Sequence, residues 1–329
     1  MSSADIDFPT PPGGSNAPEA YANDAAYHRP VMLRECLEAM QLQPGGCYVD
    51  VTFGGGGHSA RILEKLSAAG GGHLYGFDQD AAAEQQARQL AGPNFTFVRA
   101  NFRDLRAELA RREALPVDAL LADLGVSSHQ FDTAARGFST RFDGPLDMRM
   151  DPDGALTAAT ILNEYPEAAL HRLFGMYGEV TNARTLAQTV VAARRGRPLR
   201  TIQELKDAIR PCTPRGKENK YLAQVFQALR IEVNQELTAL QEMLLQTVDV
   251  LRPGGRLVVL SYHSLEDRLV KNFLAKGKFF GEAEKDLFGR ESKPFEPLTR
   301  KPEEATAEEV AVNSRARSAK LRVGIRVKS

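Results

Sequence analysis

Cys47-Tyr48-Val49-Asp50-Val51-Thr52-Phe53-Gly54-Gly55-Gly56-Gly57-His58 is the stretch whose reading decides the fold. A largely apolar run passes straight into four glycines, the pattern of a buried strand entering a tight turn that opens a helix. After that helix the strand pattern returns in Leu74-Tyr75-Gly76-Phe77-Asp78, placing a carboxylate at a second strand end about twenty residues beyond the glycines. Glycine lets backbone approach a ligand, and a helix start offers N–H groups with no partner inside the helix. An acidic strand tip accepts both hydroxyls of a ribose. The spacing therefore predicts a nucleoside-sized pocket.

Outward from this unit, short apolar runs and helical patterns alternate. Strands are expected near 47–53, 73–78, 95–99 and 118–124, with helices near 58–69, 80–91 and 102–112. Such alternation predicts an α/β fold with a parallel sheet. Between about 134 and 216 no strand pattern is found, only helical segments such as Pro166 to Tyr177 and Asn182 to Arg195, so this stretch reads as an all-helical insert. Three-four spacing then runs through Leu222, Phe226, Leu229, Val233, Leu237, Leu240, Leu244, Val248 and Leu251. It predicts one long helix from about Lys220 to Leu251 packed on the sheet. Pro253-Gly254-Gly255 ends it, and Arg256 to Tyr262 reads as the next buried strand. Residues 276–300 read as polar and irregular, and Leu321 to Val327 as a final edge strand. The expected organisation is a disordered tail over 1–26, rich in proline, glycine and alanine, a first domain part over 27–133, the insert over 134–216 and a second part over 217–329.

Composition narrows the function. Lys+Arg and Asp+Glu both number 42 among 329 residues, so a polyanionic partner must be held by local basic patches, because no global field would attract it. The 3 cysteines, Cys36, Cys47 and Cys212, are far apart and show no metal-ligand spacing, which fits a reducing cytoplasm and no metal site. No apolar run approaches bilayer-spanning length, and no signal peptide is read at the start. Neither a membrane nor DNA is expected as a partner.

Consecutive glycines disfavour a dinucleotide, whose pyrophosphate normally sits on G-x-G-x-x-G. S-adenosylmethionine has the same ribose without a phosphate, and Gly56, Gly57 and His58 can meet its ammonium and carboxylate. Asp123, at the end of Leu120-Leu121-Ala122-Asp123, places a second carboxylate by the same crevice, with Ser127 and Gln130 just beyond it. Phe102, after the third strand, is a candidate to lie against adenine or simply core.

These segments together resemble the bacterial ribosomal RNA small subunit methyltransferase H family, also called MraW. The matching stretches include His28-Arg29-Pro30-Val31-Met32-Leu33, the Val49 to His58 turn, Phe77-Asp78-Gln79-Asp80 and Asp123-Leu124-Gly125-Val126-Ser127-Ser128. Gly144-Pro145-Leu146-Asp147-Met148-Arg149-Met150, Gln227 to Ile231, Ser261-Tyr262-His263-Ser264-Leu265-Glu266-Asp267-Arg268 and Asn313 to Arg322 complete the set. The resemblance implies a Rossmann-like class I methyltransferase domain with a helical insert. It further implies S-adenosylmethionine-dependent methylation of cytidine N4 in the decoding region of 16S rRNA, within the small ribosomal subunit. By motif position it implies cofactor contacts at Gly56, Gly57, His58, Asp78, Phe102, Asp123 and Gln130. His129 stands where the family usually has proline, and Tyr177-Gly178-Glu179-Val180 lacks a second glutamate common there.

Groups that can accept a hydrogen bond from N4 are Ser127, Asp147, Ser261 and His263, although Asp147 has Arg149 as an alternative partner and His263 can be a packed residue. Candidate phosphate contacts are Arg194, Arg195 and Arg197 in the insert and Arg315, Arg317 and Lys320 near the C-terminus. Three rivals remain at this point: cytosine C5 methylation, which needs a nucleophilic cysteine such as Cys212, a nicotinamide oxidoreductase, and a non-catalytic ribosome-assembly factor.

Overall fold

The computed structural model describes residues 30–285, 289 and 291–328; the expected tail over 1–26 and the His28-Arg29 part of the first matching stretch lie outside them. The strands are β1 (Gly46–Asp50), β2 (Gly72–Asp78), β3 (Phe95–Arg99), β4 (Val117–Asp123), β5 (Leu251–Ser261), β6 (Glu284–Lys285), β7 (Glu291–Ser292), β8 (Phe295–Pro297), β9 (Glu303–Glu304) and β10 (Lys320–Arg326). Among the described residues, eight of these form one sheet of order β3-β2-β1-β4-β5-β10-β8, with β9 also on β10. β1 to β5 are mutually parallel, while β10 runs antiparallel to β5.

Both faces of the sheet are covered, which explains why its strands read as continuous apolar runs. On β4, Leu120 and Ala122 enter one core while Ala119 and Leu121 enter the other, and on β5 Leu257 and Val259 alternate with Val258 and Leu260 in the same way. One face is covered by α4 (Leu105–Ala110), α11 (Glu236–Val250) and α12 (Ser264–Lys276); the other by α1 (Leu33–Met40), α2 (Gly57–Ala68) and α3 (Ala81–Ala87).

A separate apolar core lies in the helical part, built from α6 (Ala158–Glu164), α7 (Glu167–Met176), α8 (Ala183–Gly196), α9 (Ile202–Ile209) and α10 (Glu218–Asn234). The single helix expected from Lys220 to Leu251 is therefore two. Gln235 takes a left-handed conformation, φ 50°, between α10 and α11. The stripe divides with it: Leu222, Phe226, Leu229 and Val233 pack in the helical core, whereas Leu237, Leu240, Leu244, Val248 and Leu251 pack on the sheet. The break is pinned by Asn234, whose side chain donates to the carbonyls of Met148 (2.8 Å) and Arg230 (2.9 Å) and accepts from Met150 N–H (2.7 Å). The apolar spacing runs unbroken across the turn, so periodicity alone could not reveal it.

Two further expectations are corrected. β10 is interior to the sheet, bonded to β5 on one side and to β8 and β9 on the other, because the chain between 291 and 304 returns to pair with it. The segment 276–300 is accordingly not wholly irregular; Phe295 of β8 is fully buried against the sheet core. The remaining helices are α5 (Ser128–Asp132), which follows β4, and α13 (Ala307–Val312), which a 3-10 turn over 314–318 connects to β10.

Candidate active site

The strand order reverses direction between β1 and β4, the place where open parallel sheets form a ligand crevice at their C-terminal ends. Thr52 Oγ1, just past β1, accepts a hydrogen bond from Asp123 N–H at 2.7 Å and ties the two strand ends together. On the other side, Phe53 N–H donates to the Phe77 carbonyl at 2.8 Å. Gly56 then turns the chain with φ 77°, and a Cβ there would fall 2.8 Å from Phe53 Cζ, a ring itself stacked on Phe95. Glycine is required at this position by conformation and by space together. The turn delivers α2, whose first N–H groups, those of Gly57, His58 and Ser59, cannot be paired within the helix.

Asp78 closes the β2 side. Its Oδ2 accepts from Gly54 N–H and its Oδ1 from Asp80 N–H, both at 2.8 Å. A carboxylate has about four lone-pair sites, so each oxygen keeps one for a ribose hydroxyl. Burial pushes its carboxyl up to about 6, against the lowering effect of those two N–H bonds. Because the ionised form is the better acceptor, cofactor affinity should fall as pH drops through about 6, approaching tenfold per unit below it. Calorimetric titration at several pH values checks this; a flat profile down to about pH 5 would remove Asp78 from ribose recognition.

Asp123 faces the crevice from the β4 side. Its Oδ1 accepts from the Tyr262 hydroxyl at 2.6 Å, and Oδ2 lies 3.7 Å from His58 Nδ1. Burial raises the Asp123 carboxyl, partly offset by His58 and Tyr262. The other His58 nitrogen, Nε2, is 3.1 Å from the Val31 carbonyl and so donates to it. His58 is thus a buried link between Val31 and Asp123, and its backbone N–H is what it offers at the helix start. Tyr262 is held to the same wall by its hydroxyl and packs partly against the core.

Gln130 is buried, and each end of its amide holds one partner. Its Oε1 accepts from Ser127 N–H (3.0 Å), completing a capping box at α5, and its Nε2 donates to Asp80 Oδ2 (2.8 Å). These bonds fix the loop that follows β4. Phe102 begins a 3-10 turn after β3 and packs partly against the sheet core; the neighbouring Asn101 donates to Gln79 at 2.7 Å.

The four candidate acceptors for N4 separate. Ser127 stays at the crevice, its Oγ accepting from Gln130 N–H. Asp147 is held by both Arg149 Nε (2.9 Å) and Nη2 (2.7 Å). Ser261 is buried with Oγ 3.5 Å from the Lys320 carbonyl. His263 caps α12, with Nδ1 accepting from Glu266 N–H at 3.4 Å, while its buried Nε2 lies 3.1 Å from Glu266 Oε1 without forming a hydrogen bond. Among the basic candidates, Arg194 donates to the Leu162 carbonyl, Arg197 pairs with Glu204 (2.7 Å), Arg315 with Asp132 (3.2 Å), and Lys320 lies 3.9 Å from Asp267. Arg195 and Arg317 are exposed.

Sequence reading missed several residues. Asp50 is buried and takes Ser59 Oγ–H (2.7 Å) and Thr52 N–H (3.1 Å), binding β1 to α2; a carboxylate inside an apolar strand was its signal. Asp80 accepts from Ala82 N–H, Gln130 and Arg136, and Arg136 carried no local signal at all.

An acidic strand tip opposite a glycine-opened helix, at the reversal point of this sheet, defines a nucleoside-cofactor enzyme of the Rossmann-like methyltransferase class. The chain belongs to the MraW methylase family, which it matches over residues 25–327. Its relatives include Ribosomal RNA small subunit methyltransferase H of Cytophaga hutchinsonii, 56% identical over 300 residues, spanning 91% of this chain and 99% of the relative. The protein of that name from Amoebophilus asiaticus is 53% identical over 302 residues, 92% of this chain and 96% of the relative. Among solved structures, NSun6 from Pyrococcus horikoshii aligns with a TM-score of 0.41 at 11% identity, over 96% of this chain and 57% of that one.

Proposed function

We infer that the protein methylates N4 of a cytidine in the decoding region of 16S rRNA, with S-adenosylmethionine as donor. The observation that carries this reading is Asp78 set against the first turn of α2, in a chain that matches a methylase family nearly end to end. The donor set fits the cofactor: lone pairs of Asp78 for ribose, and N–H groups of Gly57 and His58 for an amino-acid carboxylate. When bound, S-adenosylmethionine supplies an electrophilic methyl group on its sulfonium.

The cytosine amine is a weak nucleophile because its lone pair is delocalised into the ring, so the chain's main task is orientation, worth about 7–11 kcal/mol. Acceptors for the N4 protons help that nitrogen become pyramidal and take the proton it must lose. Asp123 and Ser127 sit on the crevice loops with lone pairs to spare, whereas Asp147, Ser261 and His263 are engaged elsewhere. The helical part, expected over 134–216 and sharing its core with α10, is assigned to RNA recognition, and the small ribosomal subunit in the cytoplasm is the proposed setting. Among the described residues no helix is long and apolar enough to cross a membrane.

The C5 route requires a thiolate at the crevice. Cys212 packs in the helical core, its Sγ 3.0 Å from the Ile209 carbonyl and 3.7 Å from Tyr221 Oη. Burial pushes the Cys47 thiol up to about 11, and burial, with Asp123 nearby, also raises the Cys36 thiol. Cys212→Ser should therefore retain methyl transfer within about twofold, as surface or satellite substitutions do; complete loss in a folded variant would revive the covalent route.

The direct test incubates the protein with unmodified small subunits and methyl-labelled S-adenosylmethionine, followed by mass spectrometry of nucleosides. Labelled N4-methylcytidine is the expected product. Labelled 5-methylcytidine, or no label from protein shown to bind the cofactor, would overturn the assignment.

A further inference from the structure

Beside the crevice lies a cluster that the site above does not use. Arg141 lies between two aromatic rings, 4.9 Å from the centroid of Phe131 and 5.6 Å from that of Phe142. Its Nη2 donates to Asp132 Oδ1 at 2.7 Å, and Arg315 Nη2 donates to Asp132 Oδ2 at 3.2 Å. Both side chains remain accessible, Arg141 57% and Arg315 40% exposed, and Phe142 is 44% exposed.

Position gives the cluster its meaning. Phe131 and Asp132 belong to α5, which leaves β4 directly after Asp123 and Ser127. Arg315 lies in the turn before β10, whose first residue pairs with Ser261 at the C-terminal end of β5. Both elements are thus at the edge of the sheet where the crevice opens. The loop carrying Phe142 is fixed, since Asp143 Oδ1 accepts from Gln203 N–H (3.0 Å) and Lys206 donates to the Thr140 carbonyl (3.3 Å).

A single exposed phenylalanine needs no explanation. An exposed ring on a pinned loop, stacked on an arginine whose charge exceeds what the one shared aspartate neutralises, is a different object. Unpaired RNA is held by this combination: aromatic and guanidinium planes for bases, cations for phosphates. We propose that Phe142, Arg141, Phe131 and Arg315 form a stacking site for an unpaired nucleobase next to the target cytidine, with Arg315 meeting its phosphate. The proposal rests on the rRNA methylation reading and adds a substrate-holding site to it. A protein partner would be recognised by other chemistry and is an outcome of the test.

The experiment measures methyl transfer by the full chain on unmodified small subunits and on naked 16S rRNA, for wild type, Phe142→Ala, Phe142→Tyr and Arg141→Lys. Phe142→Ala should raise KM for both RNA substrates about ten- to hundredfold, the range of one lost base stack. Cofactor affinity and melting temperature should hold, and Phe142→Tyr should restore KM because it restores the ring. Arg141→Lys keeps the charge but loses the plane, so it should fall between. An unchanged KM for Phe142→Ala would overturn the site, as would a parallel loss of cofactor affinity. An effect seen with assembled subunits and absent on naked rRNA would assign the patch to a ribosomal protein instead. Because wild type is assayed alongside, a wild type that methylates no RNA removes the rRNA reading itself, while an active wild type matched by Phe142→Ala removes only the stacking site.

Discussion

Asp78→Ala is expected to weaken S-adenosylmethionine binding by roughly a hundred- to a thousandfold. Two hydrogen bonds from ribose to an ionised acceptor contribute about 1.5–3 kcal/mol each, and every 1.4 kcal/mol is about tenfold in affinity. The lower end is expected because alanine also frees the N–H groups of Gly54 and Asp80, which water can reach in the open crevice. Asp78→Asn keeps one acceptor oxygen and should lose less, with a pH-independent affinity. Calorimetry on folded variants measures both; a loss under about tenfold would mean that ribose is held elsewhere. The same variant distinguishes enzyme from assembly factor. If cells carrying Asp78→Ala lose the methylated nucleoside yet keep normal subunit assembly, catalysis and any assembly role are separable; a non-catalytic binder would keep its whole biological effect.

The placement of Asp78 was legible because it is local: a strand ending in a carboxylate at fixed spacing from a glycine turn. β1 to β5 were legible for a similar reason, since strands buried on both faces are apolar throughout and are bounded by glycine, proline or helical patterns. What could not be read is set by partners distant in sequence. Asn234 breaks the long helix through the backbone of 148–150, and nothing within α10 or α11 announces that contact. β10 looked like an edge because its second partner, β8, is a strand of only 3 residues with no run of its own.

The site divides along the same line. Asp123 and the glycines stand at strand ends, where a local pattern marks them, whereas the bonds from Gln130 to Ser127 and Asp80 depend on how separate segments meet. His58 follows suit, since its partner Val31 lies 27 residues back, whereas His263 caps its own helix through Glu266, only three residues on. A polar residue type in a promising segment thus fixed where the crevice is, but not which atoms face it. Only the geometry separates Asp123, with a crevice-facing oxygen, from Asp147, closed by a two-pronged arginine.

Arg136→Ala should produce the largest loss of stability. Asp80 is 3% exposed and its Oδ2 receives Arg136 Nη1 at 2.7 Å and Gln130 Nε2 at 2.8 Å. The same guanidinium donates through Nη2 to the carbonyls of Arg149 (2.8 Å) and Met150 (3.1 Å), so it ties the β2 end, the α5 loop and the entry to the helical part at one point. Removing one member of a buried pair leaves the other charge without compensation, at a cost of about 3–5 kcal/mol. In a chain of this size that lowers the melting temperature by roughly 4–7 °C. The cost should belong to the pair: Asp80→Asn with Arg136→Ala should be less destabilised than the sum of the single variants, because only the double variant leaves no lone charge. Calorimetric melts of the four proteins decide it. A loss below about 1 kcal/mol, the range of an exposed ion pair, would show that water reaches Asp80 and that the three elements are joined by packing alone.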